Sequence, residues 1–137
     1  MTVTDVGSEN LRIVKTMLEN GLAGRINIVR PYVSEDLTLN LPASIPYGRT
    51  YRGWQGYLDV LGEVGKFWKD VSFGPNEFAL TEDNKVIVCS RLSGRIAKND
   101  KPLTMPINEI WEIKQGKVVK ITAFYYDTKL IHDLAAQ

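Results

Sequence analysis

Three runs carry the architecture: VIVCSRLSGRI at 86–96, LTMPINEIWEIK at 103–114 and VVKITAFYY at 118–126. Each is rich in β-branched and aromatic residues and each is bounded by turn chemistry. Lys98-Asn99-Asp100-Lys101 separates the first two, and Gln115-Gly116 makes a tight hairpin between the second and third. Together they read as a long antiparallel meander. Upstream, 67–80 extends the sheet with an interruption at Gly74-Pro75, and Glu82-Asp83-Asn84-Lys85 turns it into 86–96. Downstream, 127–136 reads as a closing helix.

The first half of the chain has a different period. Ser8 reads as an N-cap, followed by Leu11, Ile13, Val14, Met17 and Leu18 at helical spacing, with Gly21 and Gly24 as the stop. A short helix over 25–29 ends near Pro31. Ser34-Glu35-Asp36 reads as a turn into Leu37-Thr38-Leu39-Asn40-Leu41, which alternates as a strand does. Two prolines and a glycine make 42–51 a loop. A third helix is expected over 54–66, with Tyr57, Leu58, Leu61 and Val64 on one face. Its three glycines, Gly56, Gly62 and Gly65, each cost about 1 kcal/mol against alanine, so packing must hold it.

Helices first and sheet afterwards give an α+β domain spanning 1–137, in which a strongly curved sheet wraps packed helices around a small-molecule pocket. Val86-Ile87-Val88 and Ile110-Trp111 are apolar on both faces. The face turned away from the helices therefore needs cover, and a homodimer across the sheet supplies it. The 137 residues include 17 basic and 16 acidic side chains, for a formal charge of +1. That balance argues against nucleic acid as a partner. No apolar stretch is long enough for a membrane span, and a single cysteine forbids an internal disulfide; both point to the cytoplasm. Cys89, inside an apolar run, reads as a buried thiol. One His and one Cys do not make a zinc site, and no dinucleotide or phosphate loop occurs, so no cofactor or metal is expected.

The order of elements, Tyr51-Arg52-Gly53 ahead of the third helix, Gln115-Gly116-Lys117-Val118, and Tyr125-Tyr126-Asp127 together resemble the SnoaL-like branch of the nuclear-transport-factor-2-like (NTF2-like) superfamily. Polyketide cyclases, ketosteroid isomerases and limonene epoxide hydrolases belong to that group. The resemblance implies a cone-shaped fold with N-terminal helices on a mostly antiparallel sheet. It also implies cofactor-free acid/base chemistry, such as cyclisation or isomerisation, on an apolar carbonyl compound. A non-catalytic binding cone is the alternative, because one scaffold serves many functions.

The resemblance assigns roles to particular residues. Asp127 matches the acid/base carboxylate of the cyclases, and Asn40 falls where the hydrolases hold an attacking water. Thr38 stands where they place an aromatic hydroxyl, and their Arg-x-Asp appears as Arg91-Leu92-Ser93. With Ser93 in place of a carboxylate, epoxide opening lacks its second titrating group. No carboxylate lies in 37–53, where the isomerases carry their base. Asp127, Arg91 and Asn40 are thus the catalytic candidates, and Thr38, Tyr47, Tyr51, Ser93 and Tyr126 the substrate-binding ones. Asp127 reads equally as the N-cap of the closing helix. The run from Gly116 to Asp127 is one residue longer than the family pattern. A β-bulge would absorb the excess; without one Tyr126 would turn inward. Glu109 and Glu112 lie on opposite faces of one strand, so at most one points inward, and exposure is the expectation for both.

Overall fold

The computed structural model describes residues 3–137. Four helices, α1 (Val3–Asn20), α2 (Ile26–Val29), α3 (Gly53–Phe67) and α4 (Thr128–Ala135), accompany seven strands. The strands are β1 (Val33–Asn40), β2 (Thr50–Arg52), β3 (Trp68–Phe73), β4 (Glu77–Leu80), β5 (Val86–Ile96), β6 (Pro102–Lys114) and β7 (Lys117–Tyr125). They form one sheet in the order β2-β1-β7-β6-β5-β3, with β4 also paired to β5. Only β1 and β7 run parallel. α3 packs on β1 and β2, and α1 on β5, so the helices fill the hollow of the curled sheet.

Alternation decides which side chains enter that hollow. On β6, Leu103, Met105, Ile107 and Trp111 are buried; on β5, Val86, Val88, Leu92 and Ile96 are. These meet Ile13, Val14 and Met17 from α1 and Tyr57, Val60 and Val64 from α3, forming one core. The tight hairpin between β6 and β7 uses Gln115 at φ 50° and Gly116 at φ 76°, both left-handed.

Several local expectations are corrected. α1 begins at Val3, five residues ahead of the cap expected at Ser8. Its second turn docks on the turn between β4 and β5: Asn10, buried, donates from Nδ2 to the Asn84 carbonyl at 3.0 Å. A Cβ placed on Gly7 would come within 2.7 Å of Leu80 Cδ1, so glycine permits this close approach. The turn expected at Ser34-Glu35-Asp36 is a break in pairing, not in the strand. Val33 pairs with Val118 and Thr38 with Lys120, so residues 34–37 stand opposite Val119 alone. Thr50–Arg52, which overlaps the end of the loop expected over 42–51, forms β2 by pairing with residues 38–40. Cys89 is exposed, because Val86 and Val88 take the inward positions of β5 and alternation turns the thiol out.

The bulge is present. Val118 pairs with Ile113 and Lys120 with Glu112, which leaves Val119 unpaired in β7. The buried set then runs Val118, Ile121, Ala123, and Tyr125 follows on the same face. Tyr126 is 78% exposed.

Candidate active site

A cavity of about 130 Å³ lies between α1, α3 and the concave face of the sheet. Met17, Leu18, Leu39, Leu41, Val60, Leu61 and Val64 make most of its wall apolar. Five oxygen-bearing side chains interrupt that wall: Glu109, Tyr125, Tyr57, Ser90 and Asn76.

Glu109 is the single charged side chain among them. It stands on β6 two residues before Trp111, so both side chains share the inward face. The Trp111 indole donates from Nε1 to Glu109 Oε1 at 3.0 Å. Burial pushes the Glu109 carboxyl above the ordinary range, and the indole hydrogen bond opposes that shift. Glu112, three positions on, faces outward towards Lys120, 3.9 Å away. The expectation of exposure thus fails for Glu109, because the alternation set by Leu103, Met105 and Ile107 carries position 109 into the hollow.

The tyrosines form a hydrogen-bonded chain. The loop between β1 and β2 folds inward and buries Tyr47, and the Tyr51 hydroxyl donates to the Tyr47 carbonyl at 2.7 Å. Trp68 Nε1, which only donates, gives its proton to the Tyr47 hydroxyl at 3.0 Å. The Tyr47 and Tyr125 hydroxyls are 2.8 Å apart. Either hydroxyl can donate in that pair; in the arrangement where Tyr47 donates, the Tyr125 proton is free for the cavity. Burial raises the pKa of Tyr47 and, more strongly, that of Tyr125. Tyr57, from α3, is pushed up to about 12 by burial and by the nearby Glu109 charge. Its hydroxyl abuts Gly21, just past the end of α1, so closely that any larger side chain there would displace it.

The residues singled out from the sequence do not converge on this cavity. Asp127 is the N-cap of α4: its Oδ1 accepts from Leu130 N at 3.0 Å, because the helix start leaves backbone donors to satisfy. Arg91 and Ser93 occupy outward positions of β5, Arg91 exposed and Ser93 3.0 Å from Thr104 Oγ1. No ion pair joins Arg91 to Asp127 among the described residues. Thr38 and Asn40 alternate with the buried Leu37 and Leu39 and so point away from the hollow. Asn40 spans strands instead, donating to the Ile121 carbonyl at 3.3 Å and accepting from Thr50 Oγ1 at 2.9 Å. Tyr47 and Tyr51 are buried behind the wall, and only Tyr47 reaches a lining group. Tyr126 is outward. Among the described residues no group of three or more His, Cys, Asp or Glu is placed to hold a metal, and no helix is long and apolar enough to cross a membrane.

Similar folds are well represented among solved structures. An NTF2-like protein from Burkholderia xenovorans LB400 is 22% identical and superposes with a TM-score of 0.83 over 95% of this chain and 97% of that one. TerC, crystallised with polyporic acid, is 18% identical, with a TM-score of 0.80 over 94% and 99%. A protein from Jannaschia sp. CCS1, named for its likeness to SnoaL-like polyketide cyclases, is 13% identical, with a TM-score of 0.80 over 95% and 94%. No functionally curated protein sequence matches the chain. At these identities the superpositions establish the cone and nothing narrower. The sequence itself goes further, since residues 14–121 match the SnoaL-like domain as a family. Curled sheet, enclosed cavity and family match agree, and the chain is a member of the SnoaL-like domain family within the NTF2-like fold.

Proposed function

We propose that the cone is the active site of a cofactor-independent enzyme that moves protons on an apolar, carbonyl-bearing small molecule, with Glu109 as the acid/base. One observation carries this reading: the sole carboxyl lining an apolar cavity is held by an indole donor and raised in pKa by burial. A raised carboxyl is a stronger base once ionised, and its pKa lies closer to working pH. Ionised Glu109 takes a proton from the carbon beside the carbonyl, breaking C–H and forming O–H. The electron pair moves to the carbonyl oxygen, where the Tyr125 hydroxyl donates, polarised by Tyr47 and Trp68 behind it. Return of the proton to another carbon gives isomerisation; attack of the enolate carbon on a second carbonyl of the same molecule gives cyclisation. A cavity of about 130 Å³ encloses a body about the size of one six-membered ring.

Cyclohex-3-enone, whose conversion to cyclohex-2-enone creates a conjugated ultraviolet band, tests the reading. The protein is expected to accelerate that conversion, and Glu109→Gln to lower the rate by about 10²–10⁴-fold. Wild-type protein with no effect on the conversion, or a Gln variant of equal rate, would defeat it. The non-catalytic alternative draws on Asp127 and Arg91 lying outside the cavity, and it requires ring-sized ketones to bind without turnover. We also propose that the outer sheet face pairs two copies of the chain, since Phe124 (52% exposed) and Tyr126 lie on it unpacked.

A further inference from the structure

We propose that Asn76 and Ser90 form a second polar subsite that reads a hydroxyl group on the ligand, so that the substrate class is a ring-sized hydroxy ketone. The ketone half of that class rests on the proposed function; the subsite itself does not. Ser90 takes an inward position on β5 between the buried Val88 and Leu92. β4 begins at Glu77, which pairs with Cys89, so Asn76 just ahead of the strand lies where the antiparallel ladder extends towards Ser90. Both line the cavity. Asn76 Oδ1 and Ser90 Oγ are buried, and among the described residues neither has a hydrogen-bond partner.

That state is costly, and the rest of the wall shows how the fold ordinarily avoids it. Glu109 is engaged by Trp111, Tyr125 by Tyr47, and Tyr47 by Trp68. Two adjacent orphans on residues that line a ligand-sized cavity point to partners that arrive from outside, met by a side-chain rotation that turns the covered oxygens towards the space. A hydroxyl suits the pair because it donates and accepts at once: its proton goes to Asn76 Oδ1 while its oxygen accepts from Ser90 Oγ. Asn76 also lines a second cavity of about 290 Å³ beside Lys15, Phe73 and Phe78, so the subsite sits where the two spaces adjoin.

Register sets the distance to the other polar centre. Ser90 pairs with Ile107 and Ile107 with Tyr125, so the three form one row across β5, β6 and β7. Strands about 4.8 Å apart put Ser90 and Tyr125 roughly 10 Å from each other at the backbone. Ile107 floors the gap, and a six-membered ring fits over it with its carbonyl towards Tyr125 and its hydroxyl towards Ser90. The ring thus carries its two oxygens on opposite sides.

The test titrates ¹⁵N-labelled protein with cyclohexanone and with 4-hydroxycyclohexanone, reading Kd from amide shifts. The hydroxy ketone is expected to bind about tenfold more tightly, the value of one to two neutral hydrogen bonds. Asn76→Leu and Ser90→Ala should each erode that preference, and the double variant abolish it. Ser90→Ala should also raise Tm, because it deletes a buried hydroxyl with no partner; a hydroxyl serving the fold would instead lower it. Equal or undetectable binding of the two ketones, an undiminished preference in the double variant, or a lowered Tm in Ser90→Ala would overturn the proposal. Glu109→Gln separates the two readings: it should keep the preference for the hydroxy ketone while losing the enone conversion.

Discussion

Replacing Glu109 with Gln perturbs stability as well as chemistry, and the pH dependence of the effect follows from the site. The Glu109 carboxyl is raised above its ordinary value of 4.5 by burial. Below that value both folded and unfolded chains hold the proton and the group contributes no slope. Above it the unfolded chain releases the proton while the folded chain keeps it. The folded state then binds more protons, and stability falls as pH rises until the folded pKa is passed. A single proton gives a slope of about 1.4 kcal/mol per pH unit, roughly 5 °C in Tm per unit for a chain of this length. Glutamine has the same shape and no proton to lose. The Tm of Glu109→Gln minus that of the wild type should therefore widen between pH 4.5 and the folded pKa, then level off. Thermal melts of both proteins at half-unit steps from pH 4 to 8 measure this directly, because every other titrating group cancels in the difference. Two parallel curves would show that Glu109 ionises as an exposed carboxylate does, which would refute both its burial and its proposed role.

Other outcomes follow from neighbouring contacts. Tyr47→Phe should cost about 1–3 kcal/mol in denaturant unfolding, since the buried Trp68 indole N–H loses its acceptor, and it should weaken the Tyr125 donor so that enone conversion slows. Asp127→Ala should lose about 1 kcal/mol through the α4 cap while Asp127→Asn stays near neutral, and neither should alter the rate; a large rate loss in Asp127→Asn would return the acid/base role to that residue. Light scattering should give twice the 15.4 kDa chain mass, and Phe124→Glu should return it to one; a concentration-independent wild-type monomer would end the dimer proposal.

How much of this is legible in the sequence depends on the range of the interactions involved. Runs such as 86–96 and 103–114 announce themselves because strand pairing and alternation are local, and the Gln115-Gly116 hairpin has its own turn chemistry. β2 is hidden because three residues acquire strand character only by pairing with β1. α1 begins early, and its second turn is docked on the turn between β4 and β5, a contact far away in sequence. The site is less legible than the fold. Asp127 satisfies a motif and a cap with the same letters, and the competing helix N–H groups decide in favour of the cap. Glu109 sits at an inward position that alternation marks, yet a carboxylate on a strand is ordinarily exposed. Counting outward from Met105 and Ile107 is the signal that would have found it. Ser90 and Asn76 carry no local signal at all, since an unfilled hydrogen bond is a property of the finished cavity.

The unpaired Val119 has a consequence for how this chain tolerates changes in length. Insertions and deletions are ordinarily ruinous inside a strand, because each shifts every later side chain to the opposite face. Here the bulge uncouples the two halves of β7: 117–118 are indexed to the hairpin, and 120–125 to the cavity through Lys120 opposite Glu112. Removing Val119 would join those halves into a regular ladder without re-aiming Tyr125. The strand that delivers a donor to the cavity thus contains a position where codons can be gained or lost while the chemistry beyond it keeps its place.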